Sequence, residues 1–121
     1  MKRIWLTGAS SGIGAALARA LLAQGHQLAL TARNQTELHK ISAEFPNQVL
    51  VLPADLTIVE QVQAATAQIE QHWGALDMVI LNAGTCEYID VAQFEAAMIE
   101  RVMRTNLLAT AYCIEAALPL L

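Results

Sequence analysis

Thr7-Gly8-Ala9-Ser10-Ser11-Gly12-Ile13-Gly14 is the stretch on which the fold turns. It follows the apolar run Ile4-Trp5-Leu6 and opens a segment of helical period from about Gly12 to Gln24. Ile13, Leu17, Ala20 and Leu21 share one face of that segment, and Gly25 is placed to end it. Where a strand turns into a helix, the first backbone N–H groups have no intrahelical partner and point beyond the sheet edge. Gly8 then makes the tight turn, Gly12 lets a pyrophosphate approach the backbone, and Gly14 lets the helix pack closely on the strand. The Ser10 and Ser11 hydroxyls and the helix dipole add to the attraction for phosphate. A turn that merely needs flexible residues would explain the glycines, but not the order strand, loop, helix.

The same alternation continues outward along the chain. Leu28-Ala29-Leu30, Val49-Leu50-Val51-Leu52 and Met78-Val79-Ile80-Leu81 are continuous apolar runs, the pattern of strands covered on both faces. A second helix is expected from about Thr36 to Phe45, beginning at a cap and stopping before Pro46. A third carries Val59, Val62, Thr66, Ile69 and Trp73 at spacings of three and four, closed by Gly74. Beyond residue 90 the pattern is helical up to Pro119. The order β-α-β-α-β-α-β-α with short links predicts an α/β fold, a Rossmann-like doubly wound parallel sheet with right-handed crossovers. Four strands make only the first half of such a sheet, with a long final helix attached.

Composition narrows place and partners. Of 121 residues, 55% are hydrophobic and 15% charged, with 7 basic against 11 acidic side chains and a net charge of −4. One globular domain spanning 1–121 fits, and disorder does not. The acidic balance argues against a nucleic-acid partner, which needs clustered Lys and Arg to neutralise phosphates. Lys2/Arg3 and Arg101/Arg104 read as solvated strand or helix ends. Cys86 and Cys113 form no CxxC pair, and His26, His39 and His72 are scattered, so two reduced thiols and no metal site are expected. Met1-Lys2-Arg3 resembles the start of a secretory signal, but Thr7, Gly8, Ser10 and Arg19 break what would be its apolar continuation. With no run long enough to span a bilayer, a cytoplasmic protein without a membrane partner is expected.

The glycine spacing, Gly-x-x-x-Gly-x-Gly, differs from the general Gly-x-Gly-x-x-Gly. With Asp55-Leu56-Thr57, Asn82-Ala83-Gly84 and Thr105-Asn106-Leu107 it makes four blocks in an order that resembles the short-chain dehydrogenase/reductase family over the whole chain. The resemblance implies an NAD(P)-binding domain with cofactor-binding residues Gly8, Ser10, Ser11, Gly12, Ile13, Gly14, Arg33, Asp55, Leu56, Asn82, Ala83 and Gly84. The residues also have readings of their own. Asp55 at the carboxyl edge can accept from an adenine amino group or serve as a helix cap ahead of Ile58. Asn82-Ala83-Gly84 permits close approach of a ligand or a tight turn that pins the sheet. Asn106 shares a helix face with Val102, Ala109 and Cys113 and is expected to point inward. The resemblance gives it a catalytic role, holding a water for proton relay, whereas a buried amide bonded to nearby backbone explains it equally.

Cofactor choice rests on the end of the second strand. An acid about 20 residues past the glycines would bind the ribose 2′-hydroxyl of NAD. Ala32 stands there and Arg33 follows, offering a cation to a 2′-phosphate, so NADP(H) is preferred over NAD(H). The family's Tyr-x-x-x-Lys is missing: Ala92 follows Tyr88 and Ala116 follows Tyr112 where the Lys would stand. The chain therefore reads as the cofactor-binding portion of an NADP(H)-dependent carbonyl or alcohol oxidoreductase, truncated before its catalytic segment and inactive alone. The alternative is a catalytically silent dinucleotide-binding or regulatory module. A small-molecule substrate is implied for the longer protein. The apolar last helix, through Leu107, Leu108, Leu118 and Leu121, implies by the same resemblance a homo-oligomer.

Overall fold

The computed structural model describes residues 1–10, 12–84 and 95–121. Strands β1 (Arg3–Thr7), β2 (Gln27–Thr31), β3 (Val49–Val51) and β4 (Met78–Ile80) form one sheet in the order β3-β2-β1-β4. All three pairings are parallel, with Trp5 opposite Ala29 and Val79, and Ala29 opposite Leu50. Helices α1 (Gly12–Ala23), α2 (Gln35–Glu44) and α3 (Val59–Trp73) make the crossovers. The expected boundaries hold to within two residues.

Strand parity separates the core into two layers, because successive side chains leave opposite faces. Ile4, Leu6, Leu28 and Leu30 pack with Ala15, Ala18, Leu22, Leu38 and Ile41 under α1 and α2. Trp5, Ala29 and Leu52 face the other way, against Val62, Ala65 and Ile69 of α3 and Ala109, Cys113 and Ala117 of α5 (Ala109–Ala117). Burial on both faces holds fully for β1 and β2 only. β3 and β4 are the outer strands of the sheet and are half-buried, with Met78 36% exposed.

Several local expectations change. The buried side of α1 is Gly14, Ala15, Ala18 and Leu22, while Ile13 is 77% exposed and Ala20 is exposed. The closeness that the small residues allow sets the helix rotation, not the larger side chains. The cap of α2 is Asn34, whose side chain accepts from the Thr36 N–H at 3.0 Å. Gly25 and Gly74 terminate α1 and α3 as expected, both with positive φ, and the Gly74 N–H reaches the Glu70 carbonyl at 2.8 Å. Arg3 is no merely solvated strand end. Its Nε donates to Asp77 Oδ2 at 3.2 Å and its guanidinium to the Trp73 carbonyl at 3.1 Å, tying β1 to the entry of β4.

The final helical stretch is not one regular helix. α4 (Ala96–Met103) runs into a π-helical turn over Arg104–Leu108, then α5, then a 3₁₀ turn over Leu118–Leu120. The Leu76 N–H donates to the Leu120 carbonyl at 2.9 Å, fastening the chain end to the link before β4. No helix of the described residues is long and apolar enough to cross a membrane.

Candidate functional site

β1 leads through α1 to β2 on one side, whereas the chain returns through α3 to β4 on the other. The two halves diverge at the carboxyl edge of β1, where open parallel sheets leave a crevice. A cleft of about 440 Å³ lies at that edge, lined by Gly8, Ser10 and Ile13, by Ala32 and Arg33, by Asp55 and Leu56, and by Asn82, Ala83 and Gly84. The tertiary structure thus gathers most of the residues expected from sequence to bind a cofactor, while Gly12 and Gly14 are not among those that line the cleft. Ser11, Cys86 and Tyr88 lie outside the described residues.

The three glycines serve three separate needs. Gly8 has φ +66°, and a Cβ there would stand 2.9 Å from the Ala83 backbone. Gly14 packs against the Gly8 carbonyl, which an added Cβ would overlap, with Asn82 Nδ2 at 2.7 Å behind it. Gly12 has φ +55° and open space where its Cβ would project. Gly8 and Gly14 are therefore demanded by protein packing, whereas a Cβ at Gly12 would project into open space.

Asn82 fills the structural reading of its block. Its Nδ2 donates to the Gly8 carbonyl at 3.2 Å, and Thr7 Oγ1 accepts from the Asn82 and Ala83 N–H groups at 3.0 and 3.2 Å. The glycine loop and the exit of β4 are thereby pinned together. Thr7, which pins the loop from outside the cleft lining, was not singled out from sequence as a site residue, nor were Thr31, Thr57 and Thr105, which line the cleft. A threonine closing an otherwise apolar strand, as at Thr7 and Thr31, is the signal that could have found two of them.

Asp55 makes an Asx turn: Oδ1 accepts from Thr57 N–H at 3.0 Å and Thr57 Oγ1 at 2.7 Å, while Gln61 Oε1 accepts from the Asp55 N–H at 2.7 Å. Asp55 is not the helix cap: its carboxylate closes the turn ahead of α3, and the N-cap position of α3 is Ile58, which makes no side-chain cap. Both bonds to Thr57 go to Oδ1, and Asp55 lines the cleft. The Thr57 hydroxyl holds the Asp55 carboxyl below its ordinary range, against burial, with help from the Thr57 N–H and the Arg33 charge. Asp55 is thus an ionised acceptor at neutral pH. Arg33 is exposed on the cleft rim and makes no ion pair among the described residues.

Asn106 departs from expectation. It lies in the middle of the π-helical turn and is exposed, while Ala109 and Cys113 are buried and Val102 half-buried. The wider turn shifts its register from the buried stripe and sets it over Gly84, where an added Cβ would lie 3.2 Å from Asn106 Oδ1. Such π insertions recur at functional sites.

Cys113 is buried, and burial pushes its thiol up to about 11. Thiolate is the reactive form, so Cys113 is chemically quiet in the folded protein. Iodoacetamide at pH 8 is expected to label it only after unfolding in urea, read by peptide mapping. Rapid labelling of the native protein would mean that the layer between α3 and α5 opens. No group of His, Cys, Asp or Glu among the described residues could hold a metal ion.

The fold has counterparts among known proteins. An alcohol dehydrogenase from the archaeon Thermococcus sibiricus complexed with 5-hydroxy-NADP matches with TM-score 0.92 and 32% identity, over 99% of this chain and 53% of that one. An NADPH-bound carbonyl reductase from chicken fatty liver matches with TM-score 0.90 and 25% identity, over 99% and 48%. In sequence, an uncharacterised oxidoreductase of Mycobacterium tuberculosis is 35% identical over 122 residues, 97% of this chain and 48% of the relative. The chain spans about half the length of the curated relatives it matches. The sequence profile described as short chain dehydrogenase matches residues 2–121, nearly end to end, and this protein belongs to that family.

Proposed function

We propose that these residues form the NADP(H)-binding part of an oxidoreductase that interconverts carbonyl and alcohol groups on a small molecule. Arg33 carries the reading: it is the first exposed residue past β2, on the rim of the cleft, with no acid beside it on that strand. An acid there would accept from the ribose 2′-hydroxyl of NAD and repel a 2′-phosphate, whereas a guanidinium attracts the phosphate. The rest of the cleft fits such a cofactor. The pyrophosphate belongs over Gly12 at the start of α1, where the backbone leaves room and the first N–H groups of a helix have no intrahelical partner. The adenine edge belongs at Asp55. When bound, the nicotinamide supplies hydride chemistry, while these residues bind and orient it. The NADP ligands of the two structural neighbours support the choice.

Asn106, over Gly84 at the nicotinamide end, is the catalytic contribution assigned to this chain, holding a water for proton relay. The general acid belongs to residues outside these 121, since no Tyr here has a Lys four positions on and Lys2 and Lys40 are the only lysines. Thermal unfolding tests the reading: NADPH is expected to raise the melting temperature more than NADH, with no carbonyl reduction by the chain alone. Equal shifts would remove the role of Arg33, and robust turnover would place the catalytic residues within this chain. The apolar residues along the final helices, Ile99, Met103, Leu107 and Leu118 among them, support a homo-oligomer.

A further inference from the structure

We propose that Thr31, held by the Trp5 indole, is a positioning residue that sets the selectivity of the cleft for NADP(H) over NAD(H). The inference rests on the Arg33 reading above and names what holds that arginine in place. Trp5 and Thr31 are both fully buried, and Trp5 Nε1 donates to Thr31 Oγ1 at 2.9 Å. Trp5 pairs with Ala29 in the sheet, so the indole crosses diagonally to the residue two further along β2, over a methyl small enough to leave room. Thr31 also lines the cleft. Its carbonyl accepts from the Ala9 N–H of the glycine loop at 3.4 Å, and the Ala32 carbonyl accepts from the Ala54 N–H at 3.2 Å. The backbone on which Arg33 stands is therefore tied from the phosphate loop on one side, from the end of β3 on the other, and from the core below.

The bond is placed where its loss has a directional consequence. Around Trp5 the core is apolar, with Leu52, Ala54, Leu56 and Val62 in the same cluster. A buried indole N–H deprived of its acceptor must reach water or another acceptor, and a dry apolar wall offers neither. The open side is the cleft, past Thr31. The relaxation therefore falls first on the turn formed by Thr31, Ala32 and Arg33, at the end of the cleft assigned to the 2′-phosphate.

Dissociation constants for NADPH and NADH, measured on the wild-type protein and on Thr31→Val, Thr31→Ser and Trp5→Phe, test this. Thr31→Val keeps the shape and removes the acceptor; it is expected to weaken NADPH roughly tenfold while NADH changes less than about twofold. Thr31→Ser keeps the acceptor and is expected to retain the wild-type ratio. Trp5→Phe keeps a ring and removes the donor, so it is expected to lower the NADPH/NADH preference as Thr31→Val does, and it decides the matter if Thr31→Val does not fold. A fall in melting temperature with both constants moving by the same factor would make the pair purely structural and overturn the proposal. A wild-type protein with no preference for NADPH would overturn the Arg33 reading itself, and this inference with it.

Discussion

Replacing Gly14 by Ala is expected to destabilise the protein by about 3 kcal/mol or more, the range of severe overpacking. The added methyl would overlap the Gly8 carbonyl oxygen and stand 2.7 Å from Asn82 Nδ2. One obstacle is backbone and the other a side chain already bonded to that carbonyl, so neither can move aside without parting α1 from β1. For a domain of this size the loss corresponds to a fall in melting temperature of roughly 10 °C or more, measurable by circular dichroism. Gly12→Ala is the control. Its Cβ meets nothing within 4 Å, and its φ of +55° costs only about 1–2 kcal/mol. That variant is expected to keep its fold but bind NADPH poorly. Equal thermal losses in the two variants would mean that the glycines serve only the turn.

Arg33→Asp is expected to weaken NADPH binding about 100-fold, the loss of a charge-assisted phosphate contact plus repulsion between two anions. NADH binding should be unchanged or tighter, because the new carboxylate can accept from the ribose 2′-hydroxyl. Stability should change little, since Arg33 is exposed and makes no ion pair among the described residues. Isothermal titration with both cofactors checks the prediction. An NADPH affinity equal to wild type would show that Arg33 is an ordinary surface residue.

Much of the fold was legible because its signals are local. The apolar runs, the caps at Gly25 and Gly74, and the glycine loop between β1 and α1 each depend on neighbours a few residues away. The candidate site was legible for a related reason: parallel strands end at one edge, so blocks that follow successive strands must meet there. What local signals missed was set by partners far along the chain. The rotation of α1 exposes Ile13 because Gly14 fits against Gly8 and Asn82, and Asn82 lies 68 residues away in sequence. Arg3 finds Asp77 and Trp73, and Trp5 finds Thr31, only after the sheet has formed.

The sequence by itself determined the order and type of the elements, the parallel sheet, the glycine-rich loop between β1 and α1 and a basic rather than acidic residue past β2. Those follow from periodicity, turn chemistry and charge, which a chain carries before it folds. Tertiary structure decided which glycines are needed by packing and which faces open space. It set Asn106 over Gly84 through a π-helical turn that no pattern of apolar residues announces. It also brought a tryptophan from one strand to hold the threonine that precedes Ala32 and Arg33 on the next. These outcomes depend on close packing and on buried polar groups finding partners, and both are properties of the assembled core.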